Sequence, residues 1–298
     1  MHEWAPEIRV DEPLAQRLIG EQFPEVEGRS FQLLGEGWDT TVYLVDDRWT
    51  FRFPRKAMVI PGFRNEIAHL PTLAPLLPVP IPVPTLVGEP YAEFGWPFYG
   101  APFLPGRELA EAGLDDDARA ALALPLARFL RTLHGLELDT ELPVDPVRRA
   151  DMPFRVERTR ARMGELRRER LWQPPPLVEE LLSEAERIPP PERDRLCHGD
   201  LHLRHLLVGR DGQPSAVIDW IDLSRNDPAV DLTLFWSSLP AGSRGTFMNA
   251  YGKVTEQQLL RARVLSLFLC GTLALFGRRE AMPALEREAV AGLDRTCG

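Results

Sequence analysis

The sequence predicts an α+β fold in which a small antiparallel sheet near the N-terminus precedes a larger, mainly helical part. Strand-like runs rich in aromatic and β-branched residues follow one another between positions 31 and 53. From Asp115 onward, apolar residues recur at helical spacing in segments rich in Ala and Leu. The chain has 298 residues, a length that suits one large domain or two packed lobes.

The N-terminal part is predicted to form a helix followed by a meander of strands. Residues 11–22 alternate apolar and charged side chains at helical spacing, which predicts a capping helix. Strands are predicted at residues 31–34, 41–45 and 49–53. Asp46 and Asp47 lie between the last two strands, where they predict a turn.

Gly35 and Gly37 form a G-x-G sequence between the first two predicted strands. Glycine lets a backbone approach phosphates closely, so this loop is a candidate nucleotide-binding element. A plain hairpin turn explains the same pattern. The loop lies upstream of the other candidate elements of the site, and this order along the chain favours the phosphate-binding interpretation.

The C-terminal part is predicted to be helical except around residues 196–220. Helices are predicted over residues 118–134, 151–171, 177–188, 230–238, 255–276 and 279–293. The apolar stretch at 264–276 is shorter than the ~20 residues that a bilayer span needs. It therefore predicts a buried helix, and no membrane partner is expected.

Composition and cysteine usage restrict the partners and the compartment. The net charge of −9 argues against nucleic acid as a partner, and the Arg-rich segment at 155–170 contains glutamates that predict a solvated helix. The three cysteines cannot all pair within one chain and match no zinc spacing. Reduced thiols and a start at residues 1–4 without signal-peptide features indicate a cytoplasmic location. The oligomeric state is left open.

The most specific stretch of the sequence is residues 196–220. It places Asp200 and His205 on a short loop before an apolar run, and Asp211-Gly212 then signals a turn. A second apolar run leads to Asp219. If the two runs pair as a hairpin, Asp200 and Asp219 lie at the same open end. One carboxylate can then accept a proton while the other holds a divalent cation, as phosphoryl transfer requires.

This stretch resembles the catalytic loop of the aminoglycoside phosphotransferase family, whose members are relatives of protein kinases. The tripeptide at 198–200 is similar to the kinase H-R-D motif, and the tripeptide at 218–220 is similar to D-F-G. Residues 226–232 continue like the family's G-D-P-x-x-D-L. Macrolide phosphotransferases, a branch of this family, are similar in carrying histidine where kinases have asparagine.

The resemblance implies a bilobal, protein-kinase-like fold. Residues 1–102 would form a nucleotide-binding N-terminal lobe, and residues 103–298 would form a catalytic and substrate-binding C-terminal lobe. The segment around Pro102 and Leu104 would be the hinge, where backbone groups bind the purine edge. Proline has no N–H, so only the carbonyl group of Pro102 could take part.

The resemblance also assigns roles within the catalytic loop. Asp200 would be the base that orients the acceptor hydroxyl, and Asp219 would be the main Mg²⁺ ligand. His205 would occupy the second metal-ligand position, where imidazole is a softer ligand than the oxygens that magnesium prefers. Binding through a water, or a preference for Mn²⁺, are alternatives at this position. Asp231 would hold the backbone amides of the loop.

In the N-terminal part, the kinase pattern requires a cation on the third strand. Arg52 is the best match, because arginine can bind phosphate oxygens bidentately. Lys56 is a second candidate, although Pro54 is predicted to end the strand. The helix that opens at Asn65 resembles the family's helix that carries a partner glutamate, so Glu66 would pair with Arg52. An exposed strand arginine and an exposed helical glutamate are the alternatives.

The resemblance implies an enzyme that transfers the γ-phosphoryl group of ATP or GTP to a hydroxyl of a small molecule. Macrolide or aminoglycoside antibiotics are candidate acceptors, and choline or an amino alcohol is a metabolic alternative. A pseudokinase-like binding protein is a further alternative, since Arg52 and His205 depart from the usual residues. The cluster of His198, Asp200, His202 and His205 also allows a zinc hydrolase, which would leave residues 218–220 unexplained.

Overall fold

The computed structural model describes residues 6–26, 30–137 and 141–298. The chain divides into two compact units, one ending at Leu104 and the other beginning at Pro105. The first unit is built on an antiparallel sheet and the second is mainly helical, which confirms the predicted α+β class. Residues 1–4, on which the absence of signal-peptide features was judged, lie outside the described residues.

In the described part of the first unit, a five-stranded sheet is accompanied by two α-helices. Its elements are α1 (Glu12–Gln22), β1 (Phe31–Glu36), β2 (Thr40–Val45), β3 (Trp49–Pro54), α2 (Ile60–Leu73), β4 (Leu86–Gly88) and β5 (Phe98–Pro102). All strand pairs are antiparallel, in the order β1-β2-β3-β5-β4. The side chain of Asp11 caps α1 by accepting a hydrogen bond from the backbone N–H of Leu14.

Alternation along β3 separates the core of the first unit from its polar side chains. Phe51 and Phe53 are fully buried and point to the same face, because successive side chains of a strand alternate. The ring of Phe53 stacks on that of Phe98, with 4.9 Å between the centroids. Leu18 and Ile19 of α1 cover this aromatic cluster.

The turn between β2 and β3 forms where the sequence predicts it. Asp46 and Asp47 both adopt left-handed backbone, with φ of 52° each. The N–H of Arg48 donates to the carbonyl of Val45 at 3.1 Å, which closes the turn. Aspartate tolerates this conformation better than most residues, so the Asp-Asp pair fits the tight reversal.

The second unit packs its helices around small sheets. Its elements are β6 (Arg107–Glu108), α3 (Asp116–Ala121), α4 (Ala123–Gly135), α5 (Met152–Arg168), α6 (Pro176–Ala185), β7 (Arg195–Cys197), β8 (Leu206–Val208), β9 (Pro214–Val217), β10 (Ser224–Asn226), α7 (Thr233–Ser237), α8 (Arg244–Tyr251), α9 (Glu256–Arg279) and α10 (Pro283–Cys297). Strands β6, β8 and β9 form one sheet, and β7 pairs with β10.

Helix α9 is the central helix of the second unit. It begins at a capping box, in which Thr255 and Gln258 each satisfy a backbone N–H of the other. Within the described part of the chain, it is the one helix that is long and apolar enough to span a membrane, and most of its apolar segment is buried inside the unit. The predicted helix at 255–276 and its burial are confirmed, although α9 extends to Arg279 and its 24 residues exceed the ~20 that a bilayer span needs.

Several helix boundaries differ from the predicted ones. Helix α2 begins at Ile60 rather than at Asn65, since Pro61 is tolerated in a first helical turn. The predicted helix at 118–134 is divided at Leu122, whose N–H donates to the carbonyl of Arg119 in a tightened turn. The last helix begins at Pro283, four residues later than predicted, again with proline in the first turn.

The aromatic cluster makes a direct prediction about stability. Phe53→Ala should lower the free energy of unfolding of the first unit by about 3–5 kcal/mol, because it removes a buried ring and leaves a cavity. Urea unfolding followed by tryptophan fluorescence measures this change. Leu33→Ala is the control, since Leu33 is 49% exposed and should change stability by no more than about 0.5 kcal/mol. Equal effects of the two substitutions would contradict the assigned core.

Candidate active site

The site in the second unit is built on the hairpin of β8 and β9, which confirms the predicted pairing. The strands are antiparallel, with Leu206 opposite Val217. The N–H of Ile218 donates to the carbonyl of His205 at 2.9 Å, so the pairing extends beyond the strands at their open end. Gly212 adopts φ of 75° in the reversal, a conformation that favours glycine. The two ends of the hairpin, at His205 and Ile218, therefore lie side by side.

His205 lies beside the backbone carbonyl of Asp200 and the carboxylate of Asp219 at this open end. Its Nδ1 lies 2.8 Å from the carbonyl oxygen of Asp200, and its Nε2 lies 3.5 Å from Oδ2 of Asp219. The Nδ1–H must be the donor to the carbonyl, so Nε2 of the neutral ring presents a lone pair to the side of Asp219. Burial is the main cause that lowers the pKa of His205 to about 4, which keeps the ring neutral near pH 7.

The donor set of His205 and Asp219 fits a divalent cation. Asp219 offers a carboxylate and His205 offers an imidazole nitrogen whose tautomer is fixed by the bond from Nδ1–H. Asp219 also has left-handed backbone, with φ of 65°. Such strained backbone costs free energy and is common where a side chain must be aimed at a ligand.

The loop that carries Asp200 is supported by His198 and, as predicted, by Asp231. Nε2–H of His198 donates to the carbonyl of Ile218 at 3.0 Å, while Nδ1 accepts from the N–H of Asp200 at 3.2 Å. The Asp231 carboxylate accepts from the backbone N–H groups of His198 and Gly199, at 2.8 and 2.9 Å. The backbone that leads up to the candidate base, including its own N–H, is therefore held by buried side chains.

Asp231 is itself held by His134. Nε2–H of His134 donates to Oδ2 of Asp231 at 3.0 Å, and the other ring nitrogen lies 2.7 Å from the hydroxyl of Tyr251. Burial opposes ionisation of Asp231, but the hydrogen bonds and nearby histidines outweigh it and lower the pKa of this carboxyl. Asp231 is thus a buried anion with several donors, the arrangement in which a buried charge is tolerated.

His202 brings a second imidazole next to the candidate base. Its Nε2 lies 3.6 Å from Oδ2 of Asp200, and its ring stacks on that of His205 with 3.8 Å between centroids. Nδ1 of His202 accepts from the N–H of Arg204 at 3.2 Å. Ligand atoms of Asp200, His202 and His205 lie within 4.8 Å of one another. Three of the four residues considered for a zinc site are thus brought together.

Arg149 and Asp222 also belong to this site, and sequence reasoning missed both. Nη1 of Arg149 lies 2.9 Å from Oδ1 of Asp200, and Nη2 of Arg149 donates to Oδ2 of Asp222. Asp222 is three residues beyond Asp219, so it could have been suspected from its position. Arg149 lies outside every motif, and no local signal marks it.

In the first unit, Arg52 forms a buried polar cluster with Glu66 and Tyr99. Nη1 of Arg52 donates to Oε1 of Glu66 at 2.7 Å and to the hydroxyl of Tyr99 at 2.9 Å. The Tyr99 hydroxyl donates to the second oxygen of Glu66 at 3.2 Å. The expected pairing of Arg52 with Glu66 is present, and the alternatives of an exposed arginine and an exposed glutamate are wrong.

The glycine loop of the first unit differs in detail from the prediction. Gly35 lies within β1, beside a register shift after Leu33, rather than in the connection between strands. Gly37 forms the turn, where its N–H donates to the carbonyl of Thr40 at 2.9 Å. Its own carbonyl accepts from Nη1 of Arg55, a contact that the sequence did not suggest. The space beside Gly35 is open, with no atom within 4 Å of a Cβ built there.

The residues expected to bind the purine lie at the end of the first unit. Pro102 is the last residue of β5 and is paired with Trp49 of β3. The N–H of Phe103 donates to the carbonyl of Arg48 at 2.7 Å. Leu104 is the last residue of the unit.

Residues 30–265 match the model of the Phosphotransferase enzyme family. The chain belongs to this family. No curated protein matches the chain significantly by sequence. The family match confirms the resemblance inferred from the catalytic loop, and it extends that resemblance to most of the chain.

Solved structures of phosphotransferases share the fold of this family member. The GDP and kanamycin complex of APH(2")-IIia superimposes with a TM-score of 0.70 at 25% identity, over 95% of this chain and 97% of that chain. The GDP complex of wild-type aminoglycoside 2'-phosphotransferase-IIIa gives 0.72 at 24% identity, over 97% and 99%. Macrolide 2'-phosphotransferase MphH from Brachybacterium faecium, as the apoenzyme, gives 0.56 at 22% identity, over 89% and 91%.

The support of the loop by Asp231 predicts a pH-dependent effect on stability. Asp231→Asn should lower the free energy of unfolding by about 2 kcal/mol at neutral pH. The NH₂ group of the amide would face one of the backbone N–H groups that now donate to the carboxylate, and two donors cannot form a hydrogen bond. The pKa of Asp231 is lowered in the folded protein. The extra stability of wild type over Asp231→Asn is therefore fully present above the unfolded-state pKa, near 4, and is lost as the pH falls through the folded-state pKa.

Denaturant unfolding of both proteins between pH 7 and pH 3 measures this difference. The gap between wild type and Asp231→Asn should narrow in acid. Asp194→Asn, which changes an exposed carboxylate, should behave like wild type throughout. A gap that stays constant with pH would contradict the ionised role of Asp231.

Proposed function

We propose that this chain transfers the γ-phosphoryl group of ATP or GTP to a hydroxyl group of a small molecule. The observation that carries the proposal is the arrangement at the open end of the hairpin. There His205 lies between Asp200 and Asp219, within a chain that belongs to a phosphotransferase family. The two carboxylates have different surroundings, as a base and a metal ligand require.

Asp200 is proposed as the base. The acceptor oxygen attacks the γ-phosphorus, and the bond from that phosphorus to the β–γ bridging oxygen breaks. The nucleoside diphosphate leaves with the electron pair, and the hydroxyl proton passes to the carboxylate of Asp200. Catalysis then comes mainly from positioning and charge stabilisation, since little covalent chemistry is asked of the protein.

Asp219 and His205 are proposed to hold a divalent cation, Mg²⁺ or Mn²⁺. Their oxygen and nitrogen donors support this assignment, and the fixed tautomer of His205 leaves Nε2 available as a ligand. When bound, such an ion neutralises charge on the phosphates. The nitrogen ligand makes Mn²⁺ a better match here than in an all-oxygen site.

The first unit is proposed to bind the nucleotide. Arg52 would contact the phosphates while Glu66 and Tyr99 hold its guanidinium in place. The backbone at Gly35 and Gly37 would lie along the phosphates, and the open space beside Gly35 supports a close approach. Backbone groups at Pro102 and Leu104 would bind the purine edge.

An antibiotic acceptor is proposed on the basis of the neighbours. Structures with the same fold include a kanamycin complex of an aminoglycoside phosphotransferase and a macrolide phosphotransferase. GDP and ATP both occur among the neighbours' nucleotides, so GTP and ATP are both candidate donors.

All three cysteines are unpaired, which supports a reducing, cytoplasmic location.

A zinc hydrolase is the second candidate, favoured by the closeness of Asp200, His202 and His205. Against it, the nitrogen of His205 that faces the Asp200 carbonyl carries a hydrogen. A zinc enzyme would contain zinc after purification and would lose activity to a chelator without needing nucleotide. A pseudokinase-like protein would bind nucleotide but transfer nothing.

A screen of hydroxylated acceptors with both ATP and GTP tests the proposal. Aminoglycosides, macrolides, choline and amino alcohols are supplied in turn, and nucleoside diphosphate release is followed in a coupled assay. Release that depends on one acceptor class supports phosphotransfer. Nucleotide binding without acceptor-dependent release from any class would contradict it and favour a binding protein.

The role of Asp200 predicts a separation of turnover from binding. Asp200→Asn should lower kcat by about 10³-fold, within the range for loss of a general base, and should leave nucleotide affinity close to that of wild type. The coupled assay and calorimetry measure the two quantities. Asp211→Asn, at the exposed tip of the hairpin, is the matched control and should remain fully active. Near-normal kcat in Asp200→Asn would remove this residue from the mechanism.

The role of Asp219 predicts the opposite pattern. Asp219→Ala should lose the part of nucleotide affinity that depends on Mg²⁺, because it removes a carboxylate ligand from the metal position. Calorimetric titrations with and without Mg²⁺ measure that part, and Asp200→Asn provides the comparison. Unchanged metal-dependent affinity in Asp219→Ala would rule out its proposed role.

A further inference from the structure

Arg149 occupies an unusual position beside the candidate base. Its side chain is only 14% exposed, and its two terminal nitrogens contact different carboxylates, those of Asp200 and Asp222. These carboxylates belong to separate segments, the catalytic loop and the segment after Asp219. Although burial opposes its charge, the two anions raise the pKa of Arg149 above its usual value. A permanent cation therefore bridges the two segments.

The loop that carries Arg149 is built to present this side chain. Asp145 is buried, and its carboxylate accepts from the backbone N–H groups of Arg149 at 2.6 Å and Ala150 at 3.2 Å. The same carboxylate accepts from the side chain of Asn226 at 3.1 Å. Asp145 and Arg148 both have left-handed backbone, with φ of 42° and 53°. Two residues in costly conformations, held by one buried carboxylate, fix the direction in which Arg149 leaves the loop.

The two bridged segments are also packed tightly against each other. Gly199 has φ of 88°, and a Cβ at this position would collide with the carbonyl oxygen of Asp222. The backbone before Asp200 therefore touches the backbone of Asp222. The guanidinium adds a second connection on the side-chain level, and its planar fork can hold two carboxylates in a fixed relation.

We propose that Arg149 is a positioning residue that holds Asp200 in its reactive orientation by bridging it to Asp222. This inference rests on the proposed phosphotransfer, because it assigns Asp200 as the base. Arg149 has no proposed contact with nucleotide or metal. Its loss should therefore affect the orientation of the base and leave nucleotide binding intact.

The test compares Arg149→Met with Arg149→Lys and with the control Arg158→Met. Arg158 lies on the exposed side of α5, so Arg158→Met is a control for the loss of one arginine at the surface. Arg149→Met should lower kcat by about 10²-fold, the scale expected when a reacting group is misplaced by about 1 Å, with the KM for nucleotide unchanged. Lysine can contact one carboxylate at a time, so Arg149→Lys should fall between Arg149→Met and wild type.

Two further readouts separate positioning from a general loss of structure. Added guanidinium ion should restore part of the kcat of Arg149→Ala in a saturable manner, and should not stimulate wild type. Hydrogen exchange followed by mass spectrometry needs no acceptor. Arg149→Met should exchange faster at residues 198–204 and 219–224, with helix α9 unchanged.

Three results would overturn the inference. One is a normal kcat for Arg149→Met, and another is a raised KM for nucleotide in that variant. The third is unaltered hydrogen exchange at both segments in Arg149→Met. This result would exclude the bridging role whether or not wild type transfers a phosphoryl group. Failure of the proposed function would be seen separately, as absence of phosphotransfer by wild type with every acceptor.

Discussion

The register of the β8–β9 hairpin is the constraint on which the candidate active site depends. Leu206 lies opposite Val217. An additional hydrogen bond from the N–H of Ile218 to the carbonyl of His205 extends the pairing as far as the catalytic loop. A slip by one residue would turn Asp219 to the other face of the hairpin. The tight reversal at Gly212 specifies this register, because turn type and loop length fix the register of a hairpin.

A second layer of buried polar groups converts that register into a fixed geometry. His198 holds the backbone at Ile218 and Asp200, and Asp231 holds the amides before Asp200. Each of these groups is buried and hydrogen-bonded, so the network stabilises one conformation of the loop at little cost in unsatisfied polar atoms. Catalysis by positioning requires such preorganised support, since a loosely held base would lose most of its advantage.

Much of this arrangement could be predicted from sequence, because local signals encode it. The Asp211-Gly212 turn and the flanking apolar runs predict the hairpin, and the alternation around Arg52 predicts its separation from the aromatic core. Arg149 could not be predicted in the same way. It reaches Asp200 only because Asp145 and two left-handed residues shape its loop, and these contacts join positions far apart in the chain.

Several predicted boundaries also differ from the structure, each for a local reason. Helices α2 and α10 begin at Ile60 and Pro283 rather than at Asn65 and Arg279, and each has a proline in its first turn, where a missing N–H costs nothing. Gly35 was expected in a turn but continues β1, since a register shift accommodates it. The predicted end of α9 at Phe276 falls three residues short of Arg279, because the polar residues of the last turn do not continue the apolar pattern.

The most direct test of the central claim follows phosphorus itself. Phosphorus-31 NMR of the enzyme with Mg²⁺, ATP or GTP and an accepted hydroxyl compound should show a new phosphomonoester resonance. That product should grow in equal amount to nucleoside diphosphate, and Asp200→Asn should form neither. Appearance of inorganic phosphate alone with every acceptor class, or acceptor breakdown that needs no nucleotide, would contradict the account.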